Sequence, residues 1–417
     1  MRKKSVLFSS IMLSLISVLF SSCGTVLQVP ISYENYYPAT TRTPHEPIVI
    51  MNNSDFLAQK EANNWTGTGE AHSPISISDY IIEFYNDGIT IRNVDLHWAI
   101  VNCETGDYDT QYTFSTGIRI INSTNGAIEN SVAHMKETGI FIDDSSHISL
   151  YQNTVHDCAT GVTVSRSRYI VLNENNLSYN DWVGVNLTLT DQCSITENWI
   201  CFAPNYGIQC LYDDSTYISS NIISSTYLED EGFDNIGIFS YGSWNLAIWN
   251  TSIVECVIGL EMWWVNGSWV WEDFIGECTE YCVYLGDGTY NITVVANLIG
   301  PSNGTCAYDA GKNNHWDVPI DEIGNIWSDY CGTGYYHISG PAGSVDHYPF
   351  GFTTGPCSTT TTEIVTVDYT TSKDTTTTSS ATGPENGEIQ TLLLAVSAGS
   401  SIVIIIVVIL IFRSSKS

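Results

Sequence analysis

Basic residues are scarce in this sequence. Its 417 residues contain 14 Lys and Arg against 45 Asp and Glu, a formal net charge of −31. Five of the bases lie at the two ends, at 2–4, Arg413 and Lys416, so the part between them has 9 bases against 45 acids, a net charge of −36. Such a surface repels nucleic acids and polyanionic sugars and attracts cations. We therefore exclude nucleic acid as a partner.

Motifs for metal binding and nucleophilic catalysis are also missing. The 12 cysteines form no C-x-x-C pair, H-E-x-x-H is absent, and no Cys/His set has zinc spacing. We predict no metal site, no required cofactor and no assignable catalytic residue. Ca²⁺ is the one ion left open, because an acidic loop before Gly237 contains Glu229, Asp230, Glu231 and Asp234.

Apolar segments lie at both ends of the acidic body. Residues 1–23 begin with three bases, continue with an apolar run and reach small residues, which predicts a cleaved signal peptide. Residues 392–412 carry no charge and precede two bases, which predicts a membrane-spanning helix and a cytoplasmic tail at 413–417. The Thr-rich residues 358–391 predict a stalk. We therefore expect a single-pass protein of the cell membrane with an extracellular body.

A glycine followed by an alternating apolar triplet recurs along the body. Eight copies begin at Gly88, Gly117, Gly139, Gly161, Gly184, Gly207, Gly237 and Gly259, and a ninth begins at Cys282. The spacing is 22 or 23 residues except for two longer intervals, which fit inserted loops. Because side chains alternate along a strand, the first and third triplet positions face inward and the second faces outward.

A second column keeps step with the glycines in the pattern apolar-x-x-Asn-x-apolar. Its asparagines are Asn130, Asn153, Asn175, Asn198, Asn221 and Asn297, with Thr251 and Asp273 in the same column. Asn suits tight corners, and stacked Asn side chains can form a hydrogen-bonded ladder. Two columns in phase predict an all-β fold: a right-handed parallel β-helix solenoid of about nine coils of 22–23 residues, over 88–300.

The segments around the repeats are predicted to close the solenoid. Residues 24–87 form an N-terminal cap, and residues 301–357 form a C-terminal capping module whose aromatic side chains cover the last coil. Cys256 and Cys278 are 22 residues apart and hold the same place in successive coils. We expect them to stack within disulfide reach.

Three stretches resemble the NosD-like β-helix proteins, which are grouped with the carbohydrate-binding and sugar-hydrolase (CASH) solenoids. They are the opening segment Pro47–Phe56 with 64–69, the glycine and asparagine repeats, and the closing segment Gly324–Tyr330 with Tyr336–Phe350. The chain is especially similar to surface-anchored archaeal members. The resemblance covers about residues 47–350 and implies a β-helix at the cell surface, but it leaves the biochemistry open.

Aromatic residues crowd the later coils and favour glycan binding. Flat rings beside carboxylates suit sugars, which present C–H groups on one face and hydroxyls at the edge. The candidate binding residues are Trp263, Trp264, Phe239, Glu261 and Tyr284. The leading interpretation is a glycan-binding, adhesive or scaffold protein whose partners are glycans or other surface proteins.

Two alternatives stay open. Acid pairs such as Glu272 and Asp273 could serve a polysaccharide hydrolase, which needs two carboxylates about 5–10 Å apart, or a lyase. The resemblance to NosD implies a role in copper-site assembly, with His134, His147 and His156 as candidate ligands. His134 and His156 are nearly one coil apart but are expected to miss the same register by one place.

Overall fold

The computed structural model describes residues 42–107, 115–224 and 234–351, together with the chain path at 391–398 and 401–408. These residues include neither the predicted signal peptide nor the predicted cytoplasmic tail, and almost none of the predicted stalk. The chain divides into two units, Met1–Ser358 and Thr359–Ser417. The first contains a parallel β-helix of the right-handed type with eleven coils.

The coils contribute strands to three sheets, and within each sheet every strand is parallel to its counterparts in the adjacent coils. Sheet I contains Ile48–Ile50, Ile89–Arg92, Thr116–Ile121, Thr138–Asp143, Thr160–Ser165, Val183–Thr188, Tyr206–Leu211, Ile236–Tyr241, Ile258–Trp263, Tyr281–Leu285 and Thr305–Asp309. Sheet II contains Ile75–Ser78, Trp98–Val101, Thr124–Glu129, Ser146–Tyr151, Arg168–Asn173, Ser194–Thr196, Tyr217–Ser219, Ala247–Trp249, Trp269–Trp271 and Thr293–Val295.

Sheet III has two parts, which single bridges at Asn176 connect. The first contains Thr43–Pro44, Tyr80–Glu83, Glu104–Gly106, Val132–His134 and Thr154–His156. The second contains Trp199–Cys201, Ile222–Ser224, Ser252–Val254, Phe274–Gly276, Leu298–Ile299, Ile326–Trp327 and Phe350–Gly351. The helix Asn53–Asn63 and the antiparallel pair Tyr336–His337 and Val345–Asp346 lie toward the two ends.

The β-helix prediction is confirmed, but nine coils were too few. The two further coils begin with Ile48–Ile50 and Thr305–Asp309, neither of which has the glycine that marks most of the others. The inward triplet positions are fully buried, for example Ile140, Val185 and Leu187 at 0–1 % exposure. Burying an aliphatic side chain contributes about 1.5–3 kcal/mol, so this column supplies much of the stability of the solenoid.

The glycine column is explained by close packing between coils. At Gly184 a Cβ atom would lie 2.5 Å from Ile200 Cγ2 and 2.7 Å from the carbonyl oxygen of Gly207 in the next coil. The same conflict recurs at Gly237 and Gly259. The glycines are therefore needed because no room exists for a side chain, and not for a special backbone conformation.

The asparagine ladder runs along the corner between sheets II and III. Asn153 Nδ2 donates to Asn175 Oδ1 at 3.0 Å, Asn175 to Asn198 at 2.9 Å and Asn198 to Asn221 at 3.0 Å. Asn175 Nδ2 also donates to the carbonyl oxygen of Leu150 in the previous coil, at 3.0 Å. Each buried amide thus has partners on both neighbouring coils, which meets the requirement that buried polar groups be paired.

The two ends of the ladder differ from the prediction. Asn130 is exposed with a φ of 49°, one residue before the ladder position, and Ser131 occupies that position instead, with its backbone N–H donating to Asn153 Oδ1 at 3.0 Å. A coil there of 22 rather than 23 residues accounts for the shift. At the other end Asn297 Nδ2 donates to Asn325 Oδ1 at 3.0 Å, so the ladder continues into the closing module.

The predicted disulfide between Cys256 and Cys278 is absent. Both side chains are buried thiols, and each Sγ faces a carbonyl oxygen of its own coil, Val254 at 3.2 Å and Gly276 at 3.4 Å. Equivalent side chains of stacked coils point in parallel directions, so their Cβ vectors do not converge as a disulfide requires.

Buried aromatic residues lie at both ends of the solenoid. Phe56, on the helix Asn53–Asn63, packs edge-on against Trp65 at 6.0 Å between ring centroids. In the closing module Trp327 Nε1 donates to Asp346 Oδ2 at 2.9 Å, and Tyr336 stacks on the Trp327 ring at 3.9 Å.

No helix is found in the described part of residues 392–412. Thr391–Ala398 and Ser401–Val408 are instead two antiparallel strands. The segment is rich in Val and Ile, whose branched Cβ atoms favour extended backbone. Among the residues that the structure describes, no helix is long and apolar enough to span a membrane.

Candidate functional site

The outer face of sheet I carries a continuous group of aromatic side chains in coils 7–11. We call this group, with its one carboxylate, the sheet I strip. It consists of Tyr206, Phe239, Glu261, Trp263, Tyr281, Tyr284 and Tyr308. All seven side chains are half-buried and point away from the core, as the alternation along each strand requires.

Parallel register brings the strip together. Phe239, Glu261, Tyr284 and Tyr308 are direct cross-strand partners in four successive coils. The rings of Tyr284 and Tyr308 are 4.8 Å apart with an interplanar angle of 7°, and Trp263 lies 5.5 Å from Tyr284. Rings stacked in this way form a rigid, apolar row along successive coils.

Glu261 provides the polar group at the centre of the strip. Its Oε1 accepts a hydrogen bond from Trp263 Nε1 at 2.7 Å, which fixes the carboxylate beside the indole. Burial raises the pKa of Glu261, and the charges of Asp234 and Glu280 raise it further. The Tyr206 hydroxyl donates to Asp234 Oδ2 at 3.3 Å, and burial together with Asp234 raises the pKa of Tyr206 to about 12. The strip therefore combines an ordered row of aromatic rings with hydrogen-bond acceptors.

Four of the five predicted binding residues lie on this strip, and Trp264 does not. Trp264 occupies the turn after the sheet I strand, with a φ of 57° and an exposed fraction of 59 %. Its ring lies against Gly288 of the next coil, where a Cβ atom would come within 2.4 Å of the indole. Trp263 and Trp264 thus point to different surfaces because the strand ends between them.

Three tyrosines of the strip were not predicted from the sequence. Tyr206 and Tyr281 come directly before the Gly207 and Cys282 that begin their triplets, a position that also faces outward. Tyr308 lies in the triplet after Cys306, which the repeat pattern does not mark because that coil has no glycine at the first position. Tyr281 contacts Tyr284 edge-on at 5.2 Å. An aromatic residue directly before the glycine or cysteine of a triplet is the sequence signal that could have identified Tyr206 and Tyr281.

A second aromatic surface lies on the outer face of sheet II. Trp249 and Trp271 stack at 6.0 Å with an interplanar angle of 16°, and Tyr217 lies 6.4 Å from Trp249. Trp249 Nε1 donates to Glu272 Oε2 at 2.9 Å. This surface borders the corner where Trp264 lies, so aromatic residues cover two adjacent faces of the late coils.

The later coils lie in a stretch of the chain that has acidic residues but no basic ones. Residues 169–311 contain eighteen Asp and Glu and no Lys, Arg or His. They include the whole strip. Of the acidic loop considered for Ca²⁺, Asp234 is described and contacts Tyr206, whereas 229–231 lie outside the described residues.

The histidines form a different arrangement from the one expected. His134 and His156 are direct register partners on sheet III, and their rings stack at 5.5 Å with an interplanar angle of 7°. The expected offset of one residue is therefore wrong, because Val132–His134 and Thr154–His156 hold the same place in their coils. His147 lies on sheet II beside Tyr169, at 4.8 Å. The three side chains do not converge.

The family model of NosD, described as a periplasmic copper-binding protein, matches residues 100–332, more than half of the chain. The chain belongs to the NosD family. The matched region of this NosD-family chain covers nearly all of coils 3–11 and hence the whole sheet I strip. No curated protein matches the sequence.

The solved structures with similar folds include two epimerases and an alginate lyase. The A-module of the mannuronan C-5 epimerase AlgE4 from Azotobacter vinelandii is 15% identical, with 55% of this chain and 70% of that chain covered and a TM-score of 0.46. An alginate lyase from Paenibacillus sp. str. FPU-7 is 11% identical over 60% and 94%, with a TM-score of 0.42. The periplasmic alginate epimerase AlgG is 12% identical over 75% and 86%, with a TM-score of 0.47. Likeness at this level carries no argument about the activity of the NosD-family chain.

Proposed function

We propose that this NosD-family chain is a glycan-binding protein and that the sheet I strip is its binding surface. The observation that carries the proposal is the position of Glu261, half-buried and hydrogen-bonded to Trp263 within a stack of aromatic side chains. Sugar rings need a flat apolar face for their C–H groups and acceptors for their hydroxyls. The strip offers apolar ring surface and carboxylate acceptors within one patch.

Order within the strip supports this function. Tyr284 packs between Trp263 and Tyr308, so little side-chain entropy remains to be lost when a ligand binds. The two carboxylates nearest the rings, Glu261 and Asp234, already have donors, yet each carboxylate can accept several hydrogen bonds. A sugar hydroxyl can therefore be added without breaking the existing contacts.

Calorimetric titration of the full-length chain with oligosaccharides selected on a glycan array tests the proposal. Tyr284→Ala removes a central ring and should weaken binding about tenfold, since the loss of such a contact costs about 1.4 kcal/mol. Phe141→Ala is the matched control, because Phe141 occupies the same outward column of sheet I in coil 4. Equal affinity of the Tyr284 variant and the wild type, or an equal loss in the control, would contradict the proposal.

Polysaccharide hydrolysis at the same strip is the second candidate. It is favoured by the raised pKa of Glu261, which burial causes and which suits a general acid, and by the presence of Asp234 and Glu280 within its electrostatic reach. Product formation from a bound oligosaccharide tests it. A hydrolase would lose turnover in Glu261→Gln while it still binds the substrate, whereas a binding protein would show no turnover in either form.

Copper binding, which the family description names, is not supported by the described residues. No three His, Cys, Asp or Glu side chains in that part of the chain are placed to hold a metal ion. The stacked His134 and His156 already face carboxylates: His134 Nε2 lies 3.3 Å from Glu104 Oε1, and His156 Nδ1 lies 2.7 Å from Asp157 Oδ2. We therefore derive no function through copper.

A further inference from the structure

The charge around the sheet I strip restricts the kind of glycan that can bind there. Coils 7–10 lie within residues 169–311, which contain no Lys, Arg or His. Asp234, Glu280 and Asp287 flank the strip and are exposed, and Glu261 lies within it. A uronate polymer would therefore meet several carboxylates and no counter-charge. Such like-charge contact disfavours binding.

The same residues are suited to a cation. An ammonium group is attracted to the face of an aromatic ring, most strongly to Trp, and it donates hydrogen bonds to carboxylates. Trp263 and Glu261 provide these two features side by side, with Nε1 of the indole 2.7 Å from the carboxylate. Tyr284, the cross-strand partner of Glu261, adds a second ring within 5.5 Å of Trp263.

Partial burial strengthens this preference. Glu261 is half-buried and interacts electrostatically with Asp234 and Glu280, so the strip already concentrates negative charge where solvent screening is reduced. A cationic ligand relieves the repulsion among these three carboxylates. A neutral ligand does not.

Resting on the proposed glycan-binding function, we infer that the strip selects amino sugars with a free ammonium group, as in glucosamine oligomers. Ring stacking holds the sugar, and the ammonium lies between Glu261 and the rings of Trp263 and Tyr284. N-acetylation removes the charge and should cost about tenfold in affinity, the value of one charge-assisted hydrogen bond. Uronate oligomers of the same length should not bind.

Calorimetric titration of the full-length chain with a glucosamine hexamer, its fully N-acetylated form and a mannuronate hexamer tests the inference. The pH is held below the pKa of the sugar amine, and the salt is raised from about 50 mM to about 500 mM. We expect the glucosamine hexamer to bind about tenfold more tightly than the acetylated form at low salt, with the difference shrinking at high salt. Equal affinity for the two would overturn the inference and leave the glycan-binding function standing, whereas failure of all three oligomers to bind would count against both.

Two variants separate the strip from the net charge of the protein. Glu261→Gln should abolish the preference for the glucosamine hexamer over its acetylated form. Glu197→Gln removes the same charge from an exposed turn between sheets II and III, outside the strip, and should leave the preference unchanged. An equal loss of preference in both variants would assign the effect to net charge and overturn the placement on the strip.

Discussion

Asp273 is a carboxyl group in a column built for amides, and replacing it by Asn should stabilise the protein. It is completely buried, and its Oδ1 accepts a hydrogen bond from Thr251 N at 2.7 Å, as the Asn residues of the ladder do. Its Oδ2 has no hydrogen-bond partner. In Asn175 the corresponding Nδ2 donates to two oxygen atoms, one in each neighbouring coil.

The gain can be estimated from these contacts. A buried acceptor without a partner costs about 1–3 kcal/mol, and each amide hydrogen bond that Asn forms instead contributes about 1 kcal/mol. We expect Asp273→Asn to raise the free energy of unfolding by about 2 kcal/mol at about pH 8. For a domain of this size that corresponds to an increase in Tm of about 3 °C.

The gain should depend on pH with a defined sign. Burial raises the pKa of Asp273 well above its usual value of 3.8. Asp273 therefore stays protonated to higher pH in the folded state than in the unfolded chain. This difference stabilises the wild type fully below the pKa of the unfolded state, and the stabilisation is lost as the pH rises through the pKa of the folded state. Asn has no such proton. The advantage of the variant should therefore be smaller at about pH 4 than at about pH 8.

Thermal unfolding followed by circular dichroism at both pH values measures this difference. Asn221→Asp is the matched reverse change, since Asn221 lies in the same ladder and donates to the carbonyl oxygen of Ile195 at 2.8 Å. It should destabilise the protein, more at about pH 8 than at about pH 4. If Asp273→Asn lowered the Tm, or raised it equally at both pH values, the reasoning would be refuted.

Three further changes test the packing. Asp213 is buried with a pKa raised to about 6 by burial, so its contribution to stability should fall as the pH rises through about 6, and Asp213→Asn should flatten the dependence of Tm on pH. Gly237→Ala would place a Cβ 2.6 Å from the carbonyl oxygen of Gly259 and should cost about 2 kcal/mol in chemical denaturation, whereas an unchanged midpoint would show that adjacent coils can separate. Lys136 is fully buried and donates to the carbonyl oxygen of Asn86 at 3.0 Å. Lys136→Met should therefore lower the Tm, because it leaves that carbonyl oxygen without its donor. A higher Tm would show that the cost of burying the ammonium group is the larger effect.

The asparagine ladder shows how well the register of the coils can be predicted from repeat spacing. Asn153, Asn175, Asn198 and Asn221 recur every 22 or 23 residues, and their side chains bond in sequence. Asn130 lies 23 residues before Asn153, which is within the same spacing, but it is one residue out of register. A coil can be one residue shorter at a turn without a recognisable signal in the sequence, because several positions in each coil tolerate a positive φ.

The sheet I strip was predictable only in part. Phe239, Glu261 and Tyr284 follow from period-two alternation within the triplets, so their outward direction was available from the sequence. Trp264 did not follow, because the sequence does not mark where a strand ends. The contact between Tyr206 and Asp234 joins residues separated by the long loop, and no spacing rule predicts its geometry.

The sequence by itself determined the solenoid. In a parallel β-helix each coil contacts its neighbours at an almost constant separation along the chain, so inward aliphatic and corner asparagine columns appear directly as repeats. Tertiary structure alone decided which outward side chains meet and how their surroundings affect ionisation. Glu261 and Asp273 are both ordinary acids in the sequence, and only their burial, beside Trp263 in one case and in the amide ladder in the other, raises their pKa values. Desolvation depends on everything packed around a group, and a linear pattern does not record that environment.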